Sequence, residues 1–320
     1  MTFIKHSDYK PPILMRSGHL QTVYPSLFRK IDIDFYQRER IETNDGDFLD
    51  LDWAQRGFKK LAVISHGLEG SSRRSYVAGM ARALLNNGWD VLAWNFRSCS
   101  GEINRRPRFY HSGATDDLGL VIDHALNTNY YEQIALIGFS MGGNLTLVYL
   151  GQQGRNINSE ITAAVTFSVP CNLKDSSEQL AKPQNKVYMK RFLRMLHKKI
   201  KAKKALFPDL IDDMHYESIK NFKDYDDCYT APLHGFKNAE DYWQQCSGDQ
   251  FIDKIAVPTL IVNAQNDPFL AGGCYPFKET RKSKYVNLET PKHGGHVGFV
   301  DFNREELYWS EKRALIFLRR

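Results

Sequence analysis

The sequence predicts an α/β protein with a mostly parallel central sheet, helices on both faces and an inserted helical cap. Three observations predict it. Short apolar runs recur at 61–67, 90–96, 134–140, 161–169, 258–264 and 284–290. Amphipathic patterns with helical spacing separate the first four of them. Between about 170 and 250 the alternation stops, and the chain becomes polar-rich with helical spacing only. Strands apolar on both faces, spaced by amphipathic helices, are what a parallel sheet covered on both sides requires. With 320 residues, 42% of them hydrophobic, the chain can bury a substantial core. We expect a single domain over 1–320, with the cap at about 170–250 inserted after the sixth main strand.

Each element follows from local pattern. Segment 33–54 reads as a hairpin: "IDFYQRERIE" and "FLDLDW" alternate around the turn chemistry of "TNDGD". "LAVISHG" (61–67) and "DVLAWNF" (90–96) are buried strands. Between them a helix over 75–87 carries Val77, Met80, Ala81, Leu84 and Leu85 on one face. A helix over 114–127 carries Leu118, Val121, Ile122 and Ala125, and "IALIGFS" (134–140) follows it as a strand. After the strand "ITAAVTFSV" (161–169) comes the insertion, which includes "YMKRFLRMLHKKIKAKK" (188–204). The strands "PTLIVNA" (258–264) and "KYVNLET" (284–290) resume the sheet. A last helix over 304–318 carries Leu307, Ala314, Leu315 and Leu318.

Composition excludes several classes. A net charge of +6 on this length is weak support for a polyanionic partner, and no nucleic-acid motif accompanies it. Five scattered cysteines, none in a CxxC pair, point to reduced thiols with no metal site and no disulfide framework. The opening "MTFIKHSDYKPP" is polar, and no apolar run nears the roughly 20 residues that span a bilayer. A cytoplasmic location is expected.

Chemistry concentrates in "IALIGFSMGGNLTLVYL" (134–150). It joins an apolar strand to a helix through G-x-S-x-G at 138–142. A serine in such a sharp turn is held in a strained backbone, and flanking glycines give the neighbouring chain room. The hydroxyl of Ser140 then stands at a helix N-terminus, where positive partial charge favours a developing anion. A serine needs a base, oriented by a carboxylate, and on this scaffold the chain order is Ser, acid, His. Asp267 lies in the loop after the strand 258–264, whereas Asp249 and Asp253 precede that strand, at its wrong end. The loop "PKHGGHVGF" (291–299) offers His293 and His296. His296 is favoured, because the glycine pair before it lets the backbone bring an imidazole close. A tetrahedral intermediate also needs N–H donors. Met141, after the serine, is one. Leu68 in "SHGLEGSS" (65–72) is the other, with Gly67 permitting the bend. His66 is read as shaping that loop rather than moving protons.

With these motifs in view, the chain resembles the α/β-hydrolase superfamily. More narrowly it is similar to the YheT-like esterases, which group with eukaryotic AB-hydrolase-domain proteins of lipid-ester metabolism. "SGHLQTVYP" (17–25), "NFRSCSGEINRRPRFYHSGATDDL" (95–118), "DYDDCYTAPLHGFKNAEDYW" (224–243), "VPTLIVNAQNDPF" (257–269) and "GGHVGF" (294–299) carry the resemblance together with the serine and oxyanion stretches. It implies Ser140 as nucleophile, Asp267 as acid and His296 as base, working without a cofactor. The expected activity is hydrolysis of short to medium acyl or lipid esters. Thioester hydrolysis or acyl transfer by the same three residues, or a non-catalytic scaffold, are the alternatives. "HLQTVYP" either wraps the pocket mouth or braces the sheet. Arg97, Asn104 and His111 either line the pocket or belong to a loop held by its own hydrogen bonds. The basic stretch 186–204 reads as a solvated helix face, with docking on an anionic lipid surface as the sharper alternative. Small-molecule esters are the expected partners.

Overall fold

The computed structural model of the chain describes residues 3–4, 7–128 and 130–319. Its strands are β1 (Phe3–Ile4), β2 (Gln37–Glu42), β3 (Phe48–Ala54), β4 (Lys60–Ser65), β5 (Asp90–Asn95), β6 (Gln133–Phe139), β7 (Ile161–Phe167), β8 (Thr259–Val262) and β9 (Val286–Glu289). They form one sheet in the order β1-β9-β8-β7-β6-β4-β5-β3-β2. The β2–β3 hairpin and the β3–β5 pair are antiparallel, and the other pairs are parallel. The helices are α1 (Gly18–Phe28), α2 (Ser75–Leu85), α3 (Thr115–Thr128), α4 (Met141–Gln153), α5 (Leu173–Ala181), α6 (Lys186–Leu206), α7 (Phe222–Tyr225), α8 (Ala231–His234), α9 (Ala239–Cys246), α10 (Phe277–Lys282) and α11 (Trp309–Leu318).

Strand periodicity divides the core between the two faces of the sheet. β4 sends Leu61 and Val63 into one apolar cluster and Ala62 and Ile64 into another, and β6 divides Ile134 and Leu136 from Ala135 and Ile137 in the same way. The first cluster includes α3 and α4 together with Leu193, Leu196 and Ile200 of α6. The second holds α2 and α11. Sheet and helices are those of an α/β hydrolase fold.

Three differences from the sequence expectations have local causes. β1 is only two residues long, pairs with β9 at the sheet edge, and was not anticipated. The insertion therefore follows the seventh strand in the structure, which is the sixth of those anticipated; its α5–α9 contain no strand. The last helix starts at Trp309, because Asn303 Oδ1 accepts from the Glu305 and Leu307 N–H groups and Tyr308 with Glu311 closes a capping box. The C-terminal ends of β4, β6, β8 and β9 lie along one edge, the place where open α/β sheets bind ligands.

Candidate active site

Ser140 follows β6 directly and is the N-cap of α4, with φ 52° and ψ −121°. A non-glycine residue there is strained and persists only when its surroundings over-determine it. The surroundings do so through the two motif glycines. A Cβ on Gly138 would sit 2.5 Å from the Gly143 Cα, and one on Gly142 would collide with the carbonyl oxygens of Ser65 and His66. The Ser140 N–H donates to Phe167 O on β7 at 2.8 Å. A hydrogen bond to the end of β7 and close packing on the end of β4 therefore fix the turn.

The structure brings three of the expected side chains together. His296 Nε2 lies 2.9 Å from Ser140 Oγ. His296 Nδ1 lies 2.9 and 3.1 Å from the two oxygens of Asp267, whose carboxylate is fully buried. Asp267 Oδ1 also accepts from Phe269 N–H at 2.9 Å. With Nδ1 donating to the carboxylate, Nε2 is the acceptor facing the hydroxyl. The imidazole packs on Phe269, with ring centroids 4.2 Å apart. His293 does not join them; its Nδ1 lies 2.9 Å from Arg16 O. Asp249 lies away from the histidine and accepts from Asn172 Nδ2.

The loops that present His296 and Asp267 are braced by the N-terminal motif, and Thr22, Val23 and Pro25 of "HLQTVYP" also line the groove beside Ser140, so the motif both supports the site and borders its mouth. Thr22 Oγ1 accepts the His296 N–H, and Gln21 Oε1 accepts from Val300 N–H and Tyr9 OH. Gly295 (φ 57°) sits so close to Gly18 O that a Cβ would clash, and Ser168 Oγ accepts the Val297 N–H. Sequence reasoning missed Thr22 and Ser168 as partners, since neither belongs to a pattern that names its contact.

The loop after β4 packs against the serine: a Cβ on Gly67 would lie 3.1 Å from Ser140 Cβ. Leu68 N–H has no acceptor among the described residues, and Met141 is the first residue of α4, whose N–H lacks an intrahelical partner. His66 keeps the shaping part expected of it. Phe96 N–H donates to its Nε2 at 3.1 Å, so Nδ1 carries the proton and donates to Gly67 O at 2.7 Å. Burial holds its pKa down, at about 3.

Glu69, next along this loop, was not anticipated as a site residue. It has φ 53° and is held from three directions. Its N–H donates to Tyr110 OH at 3.0 Å, Tyr110 OH donates back to Oε1 at 2.5 Å, and Lys199 Nζ of α6 lies 2.6 Å from Oε1. Lys199 Nζ is also 3.0 Å from Cys99 Sγ. Burial opposes the charge on Lys199, but Cys99 and Glu69 outweigh it and raise its pKa. Burial raises the Cys99 pKa, leaving a neutral thiol, so Glu69 is the partner that matters. The basic stretch 186–204 is thus not one solvated face. Lys203 is fully buried, with Nζ donating to Asn104 O and Arg106 O, and burial draws its pKa down to about 8. Lys186, Lys190, Arg191, Arg194, Lys198 and Lys201 are exposed, whereas Leu193, Leu196 and Ile200 are buried in the protein's own core.

Of the three residues weighed in segment 97–113, only His111 lines the cavity at the serine. Arg97 is buried in a network, forking onto Asp117 at 2.7 and 2.8 Å and reaching Asp45 and Asp47. Asn104 donates to Asp47 Oδ2 and Arg108 O, so these two hold the loop.

Ser140 and His296 lie where two spaces meet. One is a cavity under the insertion, with Leu173, Leu180, Leu196 and Phe222 among its walls. Asp226 lies in its wall, accepting from Thr230 Oγ1 and Trp243 Nε1, and burial raises its pKa to about 7. The other is a groove with about 1630 Å³ of empty space, lined by α1, the loop before α2 and the first turns of α6. Leu68, Glu69, Phe192 and Phe269 line both.

A strained serine on a strand-to-helix turn, beneath loops from the neighbouring strands, places the chain in a class, and comparison with known proteins agrees. The chain belongs to the α/β hydrolase fold family, whose model matches residues 62–302. It is similar to the esterase-designated protein YheT of Escherichia coli (strain K12), at 35% identity over 305 residues, covering 93% of this chain and 88% of that protein. Phospholipase ABHD3 of Bos taurus is 28% identical over 303 residues, covering 92% of this chain and 73% of that protein. The solved structure of an esterase of Pyrococcus furiosus superposes with a TM-score of 0.61 at 19% identity, covering 90% of this chain and 92% of that one, a likeness of fold. No helix among the described residues is long and apolar enough to cross a membrane.

Proposed function

We propose that this chain is a serine carboxylic ester hydrolase acting on short to medium acyl or lipid esters. The observation that carries the reading is the unbroken relay from Ser140 Oγ through His296 to Asp267, with 2.9 Å at each step. Names of its relatives, an esterase and a phospholipase, support ester bonds as the target. Residues 1–320 act as one domain, and the insertion at about 170–250 caps the site.

In the first step His296 Nε2 takes the hydroxyl proton as Ser140 Oγ attacks the acyl carbon. The carbonyl oxygen becomes an anion held by the N–H groups of Leu68 and Met141. Collapse breaks the ester C–O bond, and the departing alcohol takes the proton from His296. Water then repeats the sequence: it loses a proton to His296, attacks the acyl-enzyme, and the proton returns to Ser140 as the acid leaves. Asp267 holds the imidazole in the useful tautomer and stabilises its charged form. The apolar walls around Leu173, Leu180, Leu196 and Phe222 receive the acyl chain.

Turnover of p-nitrophenyl esters of increasing chain length tests this. Wild type should hydrolyse them, with a maximum set by the cavity, and Ser140→Ala should lose at least ~1,000-fold in kcat. Equal rates for wild type and Ser140→Ala would overturn the assignment.

A further inference from the structure

The groove beside Ser140 holds a hydroxyl that the three triad residues leave unused. Tyr76, the second residue of α2, lines the groove together with Ser140 and His296 and is absent from the walls of the cavity under the insertion. Its ring packs edge-on against Phe139, the residue before the serine, with centroids 4.9 Å apart. Its oxygen accepts the Gly67 N–H at 2.9 Å. A Cβ on Gly67 would lie 3.1 Å from Ser140 Cβ and 3.4 Å from the Tyr76 oxygen, so serine and phenol flank one point of the loop. The Tyr76 hydroxyl proton has no acceptor among the described residues. Tyr110 differs: its hydroxyl accepts from the Glu69 N–H and donates its own proton to Glu69 Oε1. A phenol has one donor, and an N–H bond to its oxygen polarises the O–H and makes that donor stronger. Burial raises the Tyr76 pKa to about 12, so the proton is present at neutral pH.

We propose that Tyr76 is a further catalytic residue, whose hydroxyl donates a hydrogen bond to the leaving alcohol oxygen as the ester C–O bond breaks. This rests on the ester-hydrolase reading and adds a group to one of its steps. With the acyl chain in the cavity, the alcohol half lies in the groove, on the side of Ser140 where Tyr76 stands. The carbonyl oxygen is already met by the N–H groups of Leu68 and Met141, so the alcohol oxygen is the acceptor left for the phenol. Negative charge builds on that oxygen as the bond to the acyl carbon lengthens, and a donor placed there lowers the barrier. The proton that ends on the alcohol still comes from His296 Nε2. Tyr76 keeps its own proton throughout, and the hydrogen bond is released when the alcohol departs.

Leaving-group dependence in Tyr76→Phe tests the role. The substitution removes the hydroxyl and keeps the ring on Phe139, and a thermal melt checks that the variant folds. Ethyl butyrate and p-nitrophenyl butyrate share an acyl group and differ in the alcohol. An alkoxide leaves poorly and needs a donor, whereas p-nitrophenolate leaves readily without one. The quantity is kcat/KM, which reports acylation, the step in which the alcohol departs. In the variant it should fall about 10-fold or more for ethyl butyrate, the effect of losing a hydrogen bond to a charged group, and stay within about 3-fold of wild type for p-nitrophenyl butyrate. If Tyr76 only braced Gly67, displacement of the Leu68 N–H would lower both esters by the same factor. Equal losses for the two esters, or no loss for either, overturn the proposal while leaving the hydrolase reading intact. If wild-type protein turns over neither ester, the hydrolase reading fails and the role of Tyr76 falls with it.

Discussion

Replacing Lys199 by methionine removes the positive half of a buried ion pair while keeping most of the side-chain volume. Glu69 is then left in the cavity wall with Tyr110 as its remaining donor. Breaking a buried pair from one side costs about 3 kcal/mol, because the remaining charge is uncompensated. At about 2.1 cal/mol/K per residue, 320 residues unfold with an entropy of about 0.7 kcal/mol/K, so Tm should fall by about 4 °C. Activity should fall as well. Glu69 adjoins Leu68, the proposed oxyanion donor, and shares the cavity with Ser140. For a separation on the order of 8 Å and an effective dielectric near 20, the unpaired carboxylate opposes the oxyanion by about 2 kcal/mol, or ~30-fold in kcat. The assay is kcat and KM for p-nitrophenyl butyrate beside a thermal melt. The double substitution Glu69→Gln/Lys199→Met removes both charges and should recover most of both losses. Equal losses in single and double variants, or a single variant that melts and turns over like wild type, would refute the reasoning.

Other outcomes follow from the same geometry. The ordinary pKa of His66 is 6.5, but the folded value is about 3, so only the unfolded chain binds that proton in between; the stability involved is intact above about pH 6.5 and is lost as pH falls towards 3, by up to about 1.4 kcal/mol per unit. Urea titrations at pH 7.5 and 5 should show this loss, and His66→Gln should flatten it. Asp226 works in the opposite sense: its folded value is about 7 against an ordinary 3.8, so its contribution is present below 3.8 and lost as pH rises through 7. Asp226→Asn should therefore gain stability relative to wild type at pH 8 and not at pH 4, read from the same titrations. Gly142→Ala should cost about 1–3 kcal/mol by overpacking and should slow turnover by displacing Ser140, since the new methyl meets the Ser65 and His66 carbonyls. Asp267→Asn should fold normally but lose about 10,000-fold in kcat, because the wrong imidazole tautomer is stabilised.

Much of this architecture was legible because the relevant signals are local. Apolar runs and their spacing gave eight of the nine strands; the exception, β1, is too short for any period to show. The residues at the site were legible for a related reason. The turn at Ser140 writes its steric needs into neighbouring glycines, and Asp267 and His296 are located by the strands before them. Charged side chains were harder. Nothing in the spacing of nine basic residues over 186–204 says which ones turn inward. Lys199 and Lys203 do so because their acceptors, Glu69 and the carbonyls at 104 and 106, arrive from segments about 100 to 130 residues away. Arg97 was ambiguous on the same ground, since its carboxylate partners lie on the β2–β3 turn and on α3.

Mapping the covalent adduct formed with a fluorophosphonate is the most direct measurement, with intact mass followed by peptide sequencing. A single adduct on the peptide that carries Ser140, lost in Ser140→Ala and formed far more slowly in His296→Ala, is the expected result. An unmodified Ser140 in folded wild-type protein, or an adduct on another residue, would contradict it.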